Sequence, residues 1–187
     1  MSDISRFPVP EIKDLPGDLR ERIEGIQEKT GFVPNVFLVL AHRPDELRAF
    51  MQYHDILMEK DSGLSKAERE MIVVATSAAN DCQYCVVAHG AILRIRAKNS
   101  LIADQVAINH RKADLSNRQS VMLDFALKVA TDSASISDED IGKVRAEGFS
   151  MDDVWDIGAI ASFFALSNRM ANLTSMRPNE EFFGMAR

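Results

Sequence analysis

The sequence predicts an all-α chain. Apolar residues recur at helical spacing along most of its length. Helix-start signals of the capping-box form stand at Ser65-Lys66-Ala67-Glu68 and Ser116-Asn117-Arg118-Gln119. No hairpin dipeptide separates alternating runs, and no βαβ rhythm occurs. The 187 residues are 46% hydrophobic and 27% charged, an ordinary globular balance, and no linker divides them. One helical domain over residues 1–187 is expected.

The elements follow in order. Residues 1–16, with Pro8, Pro10 and Pro16, read as an extended arm lying on the surface or on a neighbouring subunit. From Gly17, Leu19, Ile23 and Ile26 mark a helix that Thr30-Gly31 ends. Val33-Pro34-Asn35 opens a short apolar helix, Val36 to Ala41. Pro44 starts the next, with Leu47, Phe50, Met51, His54 and Leu57 or Met58 on its inner face, and Asp61-Ser62-Gly63 closes it. The Ser65 box opens a helix to about Asn80. A second runs from about Cys82 to Ala97, with Arg94, Arg96 and Lys98 suited to its C-terminus. Ser100 to Ile108 reads as a shorter helix. The Ser116 box precedes Val121, Met122, Phe125, Ala126 and Val129. Ser137 begins a charged helix ending near Gly148, and Ser150 begins the longest run, Val154 to about Leu173. That run is apolar nearly all round, which suits a central helix or a subunit contact. Pro178 opens an amphipathic tail over residues 178–187. The similar helices after Ser65 and Ser116 hint at an internal αα duplication.

Composition narrows the function. The net charge is −6 with no basic block, so nucleic acid is not an expected partner. No window has the length of a membrane span, and the N-terminal stretch is too polar for a secretory signal. A cytoplasmic location is expected, with no membrane partner. Two cysteines are too few for a disulfide scaffold in a chain of this size; in a reducing compartment a CxxC reads as catalytic or metal-binding. No dinucleotide or phosphate-loop motif is present, and no cofactor is expected.

Both cysteines lie in Asn80-Asp81-Cys82-Gln83-Tyr84-Cys85-Val86-Val87-Ala88-His89. On a helix, Cys82, Cys85 and His89 share a face. Asn80 and Asp81 are N-cap candidates, which places the cysteines in the first turn, where unpaired N–H groups lower a thiol pKa. Four readings are open. A thioredoxin-like site needs a strand feeding the motif, and none is expected. A zinc site would use Cys82, Cys85 and His89 with Glu70 as fourth ligand, but no second ligand pair exists. Two buried cysteines as small hydrophobes is the plain alternative. The fourth is a dithiol cycling to a disulfide, with His89, one turn beyond Cys85, taking its proton and Glu70 orienting the imidazole. Glu70 reads equally as a solvated member of the charged run Lys66 to Glu70. His42 and His54 read as packing histidines and His110 as solvated. Trp155 and Phe163-Phe164 read as core or subunit interface; Asn168 and Arg169 would line a pocket or pin a subunit contact.

Glu70, eleven intervening residues, Cys82-Gln83-Tyr84-Cys85, three residues and His89 resemble the signature of the alkylhydroperoxidase D (AhpD)-like group of the carboxymuconolactone decarboxylase superfamily. Val33-Pro34-Asn35, Leu64-Ser65 and the run Phe164 to Asn172 are similar to its peroxidase-related branch, so the resemblance spans most of the chain. It implies an AhpD-like helical bundle and an antioxidant thiol peroxidase or disulfide reductase. Cys85 would attack the peroxide, Cys82 would resolve the product, and Glu70 and His89 would relay the proton. The helix dipole alone favours Cys82 as the reactive thiol, a conflict the resemblance decides for Cys85. The expected partners are a hydroperoxide substrate and a lipoyl- or thioredoxin-type dithiol donor. A homo-oligomer, trimer or hexamer, is also expected. Tyr84 stands where the best-known members carry His, and a phenol is a poor base at neutral pH. The decarboxylase branch lacks the cysteine pair, so lactone chemistry is not expected. The rivals to this enzyme are a redox-responsive interaction protein with little turnover and a small zinc enzyme.

Overall fold

The computed structural model describes residues 4–187. Its described residues form ten α-helices and no β-strand: α1 Gly17–Thr30, α2 Asn35–Leu40, α3 Pro44–Glu59, α4 Lys66–Ala79, α5 Gln83–Ala97, α6 Ile102–Asn109, α7 Asn117–Asp132, α8 Asp138–Ala146, α9 Met151–Thr174 and α10 Glu181–Gly184. None is long and apolar enough to cross a membrane.

Four helices start by the same device. Ser65, Ser116, Ser137 and Ser150 each accept the N3 backbone N–H, and Glu68, Gln119, Asp140 and Asp153 return the bond to the cap backbone. Each serine cap contributes about 1 kcal/mol by satisfying an orphan donor. Asp153 also accepts the Gly63 N–H at 2.8 Å, and a side chain at position 63 would collide with its carboxylate. The loop before α4 is thereby tied to the start of α9.

Helix α4 is the centre. It packs against α5, α6, α7 and α9, and every residue from Glu68 to Ser77 is buried. Its charged residues are matched as burial requires, save that Arg69 Nε is left without a partner. Glu68 closes the capping box and accepts from Arg118. Arg69 donates to the Leu57 and Lys60 carbonyls and to Ser62, so it caps the C-terminus of α3. Glu70 is taken by the site described below. The main apolar core lies where Ile72 and Val73 of α4 meet Met122 and Leu123 of α7 and Ile157 and Phe164 of α9. Phe163 and Phe164 are core residues, whereas Trp155, Leu166 and Leu173 lie on the exposed outer face of α9, Trp155 at 76%.

Three boundaries differ from expectation. Asn80 and Asp81 do not cap α5: Asn80 closes α4, Asp81 turns the chain with a left-handed φ of 51°, and Cys82 itself is the N-cap. The short helix begins at Ile102, because the Asn99 side chain accepts the Leu101 N–H and holds that turn open. The tail is helical only over Glu181–Gly184; before it, Asn179 is committed to Val33 and Asn35, distant in sequence. The expected arm falls partly outside the described residues, at 1–3. From residue 4 it runs along the end of α9, with Arg6 N–H donating to Thr174 and Arg177 N–H to Ile4.

Candidate active site

The dithiol sits at a sharp corner between α4 and α5. Asp81 reverses the chain, and the Cys82 N–H reaches back to the Ser77 carbonyl at 3.0 Å. Cys82 then serves as N-cap, its Sγ accepting the Cys85 N–H at 3.5 Å. Both sulfurs therefore lie at the positive end of α5, as the helical reading expected, and both are buried to 1% exposure.

Helix α9 closes the corner from behind. Asn168, with no exposed surface, donates to Ser77 Oγ at 2.9 Å and accepts from Asn80 Nδ2 at 3.0 Å. Asn172 donates to the Asn80 carbonyl at 3.1 Å, and Ser167 Oγ lies 3.7 Å from Cys85 Sγ. Asn168 thus neither lines a pocket nor meets a subunit; it buttresses the cysteine corner. Arg169 is exposed and donates to the Ala165 carbonyl of its own helix.

These contacts divide the two thiols. A hydrogen bond from the Cys85 thiol, reinforced against burial by the Cys85 N–H and the Asn168 amide, brings Cys82 down to about 7. The same thiol–thiol bond, with burial and the Cys82 charge, pushes Cys85 well up. The pair loses its first proton readily and its second reluctantly, and the first charge rests on Cys82. The lower of the two thiol values thus falls on Cys82, through these hydrogen bonds.

His89 lies on α5 and Glu70 on α4. His89 Nδ1 and Glu70 Oε2 are 2.8 Å apart, with side chains only 13% and 9% exposed. The edge-to-face ring of Phe164, 4.7 Å away between centroids, limits the tilt of the imidazole. A carboxylate only accepts, so it selects the Nδ1–H tautomer and leaves the Nε2 lone pair free. Tyr84 is no base here: burial holds its hydroxyl protonated, and its oxygen accepts the Val36 N–H at 3.1 Å. It ties the CxxC helix to α2.

A cavity of about 640 Å³ opens beside the corner. Cys85, His89 and Ser167 line it, with Phe50, Phe164 and Phe182 among its apolar walls. Cys82 does not line it. His54, expected to pack, lines it as well, its ring centroid 6.4 Å from that of His89. Burial and the neighbouring His89 hold the His54 pKa below its ordinary value. The other packing candidate, His42, is exposed against Phe7, and His110, expected to be solvated, is bonded to Asp124 at 2.9 Å. The structure brings Cys82, Cys85, His89 and Glu70 together; His54 and Ser167 are the residues the sequence did not point to. The one available signal for His54 was its place on the inner face of α3, which packing explains equally well. Among the described residues no group of three or more His, Cys, Asp or Glu side chains is arranged to hold a metal ion.

Residues 44–132 match the carboxymuconolactone decarboxylase family. An alkylhydroperoxidase AhpD core, a peroxidase-related protein from Ralstonia eutropha JMP134, is 64% identical over 100% of this chain and 98% of that one, with a TM-score of 0.98. A peroxidase-related protein from Silicibacter sp. TM1040 is 40% identical over 100% and 97% of the two chains, with a TM-score of 0.94. The debrominase Bmp8, solved with 2,3,4-tribromopyrrole, shares the fold at 17% identity, over 97% and 94% of the chains, with a TM-score of 0.78. Comparison with curated proteins gives no match.

Proposed function

We propose a function from one premise: this chain belongs to the AhpD-like group of the carboxymuconolactone decarboxylase superfamily. Its role is of the antioxidant, peroxidase type, and its reaction is the reduction of hydroperoxides by the Cys82–Cys85 dithiol. The observation that carries this reading is that Cys85, not Cys82, opens on the cavity, beside an imidazole whose free nitrogen is available as a base.

In the resting site the negative charge favours Cys82 and the proton sits on Cys85. When a hydroperoxide enters, His89 Nε2 takes the Cys85 proton and Glu70 holds the imidazolium. Cys85 Sγ attacks the terminal peroxide oxygen. An S–O bond forms, the O–O bond breaks, and the hydroxyl stays on sulfur as a sulfenic acid. The departing alkoxide takes the proton from His89 and leaves as alcohol. The Cys82 thiolate then attacks the Cys85 sulfur; the S–S bond forms, the S–O bond breaks, and the departing hydroxide takes a proton from solvent and leaves as water. A dithiol donor of the lipoyl or thioredoxin type reduces the disulfide and is itself oxidised to a disulfide. The exposed apolar side chains of α9 support assembly of the chain with copies of itself, as a trimer or hexamer.

The test is consumption of cumene hydroperoxide by the purified chain with dihydrolipoamide as reductant. Wild type turns over and Cys85→Ser does not, while Cys82→Ser reacts once and holds a sulfenic acid that dimedone traps. Equal consumption by wild type and Cys85→Ser overturns the reading. Negligible turnover with an oxidation-dependent change of assembly would instead favour a redox-responsive interaction protein.

A further inference from the structure

Two carboxylate–histidine pairs converge on the cavity, and the reaction above uses only one. The second is Asp55–His54 on α3, with His54 Nδ1 and Asp55 Oδ1 3.3 Å apart. Asp55 is held from outside, its other oxygen accepting from Arg22 of α1 at 2.5 Å. The carboxylate selects the Nδ1–H tautomer of His54, as Glu70 does for His89. His54 Nε2 then carries a lone pair. It has no hydrogen-bond partner, yet it is not among the sealed, unpaired polar atoms of the described residues, where only Arg69 Nε is found. An unpaired nitrogen at such a place is open to what the cavity contains. The rings of Phe163 and Phe164, 6.2 and 6.3 Å from that of His54 between centroids, surround it with apolar matter. Burial keeps the imidazole neutral at neutral pH, which preserves the acceptor.

We propose that His54 is a second substrate-contacting imidazole, whose Nε2 accepts the O–H of a hydroperoxide bound in the cavity that Cys85 and His89 line. A hydroperoxide offers one donor, its terminal O–H, on the oxygen that the sulfur attacks. An acceptor on α3 turns that oxygen toward a fixed partner while the organic part lies against Phe50, Phe164 and Phe182. His54 holds the substrate; His89 moves the proton. The neutral acceptor also disfavours anionic ligands, which have no proton to give. This inference rests on the hydroperoxide reading above, and its test separates the two.

The first measurement is binding without turnover. Uniformly 15N-labelled Cys85→Ser protein is titrated with cumene hydroperoxide, and the imidazole resonances are followed, with His54→Gln providing the assignment. The His54 Nε2 resonance is expected to shift in a saturable way. Saturable shifts confined to His89, or none at His54, overturn the proposal whatever the enzyme's activity. A saturable His54 shift in a protein whose wild type fails to consume hydroperoxide upholds the binding role and removes the peroxidase reading instead. The second measurement is kinetic. His54→Leu is expected to lower kcat/KM for cumene hydroperoxide about tenfold, the loss of one hydrogen bond of ordinary net strength, mainly through KM. The pH profile of iodoacetamide alkylation at the cysteines stays in place, because the thiols do not depend on His54. His54→Gln, which keeps an acceptor near the Nε2 position, recovers most of the loss. A profile displaced in His54→Leu, or no recovery with Gln, assigns His54 a structural role.

Discussion

Glu70–His89 and Asp55–His54 are chemically the same pair in two different settings. The first joins two helices packed at the centre of the molecule, at 2.8 Å and with side chains 9% and 13% exposed. The second joins neighbours on one helix, at 3.3 Å, with side chains 47% and 32% exposed and an outer ion pair to Arg22. A buried pair between packed helices has one geometry, because moving either partner opens a void or strands a polar atom. A pair within one helix that keeps part of its surface open has room to adjust. The comparison teaches that the imidazole proposed to move a proton is tightly enclosed, while the one proposed to meet the substrate sits on a more open wall.

The sharpest way to break this contrast is at its rigid end. Glu70→Gln keeps the shape but removes the charge that holds the imidazolium. Cys85 oxidation by hydroperoxide, followed by stopped flow, is expected to slow on the order of 10²-fold, within the usual contribution of a positioned base. An unchanged rate would mean that the pair only packs.

The buttress behind the corner is next. Asn168→Ala leaves the buried Ser77 hydroxyl and the half-buried Asn80 amide without this partner. Urea unfolding is expected to show a loss of about 1–3 kcal/mol, and alkylation of Cys82 should move to higher pH because the amide no longer supports its thiolate. A loss of stability with no movement of Cys82 would reduce Asn168 to packing.

The corner also sets a pH dependence. The folded Cys82 value, about 7, lies below the unfolded value of about 8.5. The stabilisation it contributes is therefore complete above the unfolded value and is lost as the pH falls through 7. Cys85 acts oppositely, since its raised value costs stability once the unfolded thiol ionises, above about pH 8.5. The urea midpoint is expected to rise from pH 6.5 to about 8.5 and to level or fall beyond. Cys82→Ser should flatten the rising limb.

The smallest effect belongs to the yielding wall. Arg22→Ala removes an ion pair whose partners are 41% and 47% exposed, and stability should change by about 0–1 kcal/mol. A larger loss would show that this wall is as rigid as the corner.

Much of this was legible, for reasons that differ by residue. The starts of α4 and α7 were readable because a capping box is local, and a serine and its partner three residues on need nothing else. Cys82, Cys85 and His89 were readable together because they share one helix face; spacing left Glu70 equally a solvated residue, and only the resemblance drew it in. The true cap of α5 was not, because the left-handed turn at Asp81 leaves no mark that distinguishes it from Asn80. Asn168 stayed ambiguous, since its partners Ser77 and Asn80 lie far back in the chain. His54 was hidden for the same reason: only the approach of α3 to α5 and α9 shows which nitrogen is open. Tyr84 was read as a departure at the chemical centre, and its bond to Val36 makes it a tether for the helix beside the cavity.

Cys82 at the head of α5 has a consequence for electron flow. Its reduced form is stabilised by the helix end, by the Cys85 donors and by Asn168, and none of these supports a disulfide sulfur in the same way. Whatever favours the thiolate favours the reduced couple and raises its reduction potential, by about 30 mV for each tenfold gain. In the proposed disulfide cycle the reduced form is thus the favoured side of the redox equilibrium. In that proposed cycle a mildly reducing dithiol would suffice to restore it, and the corner that prepares the site for oxidation would also favour its recovery.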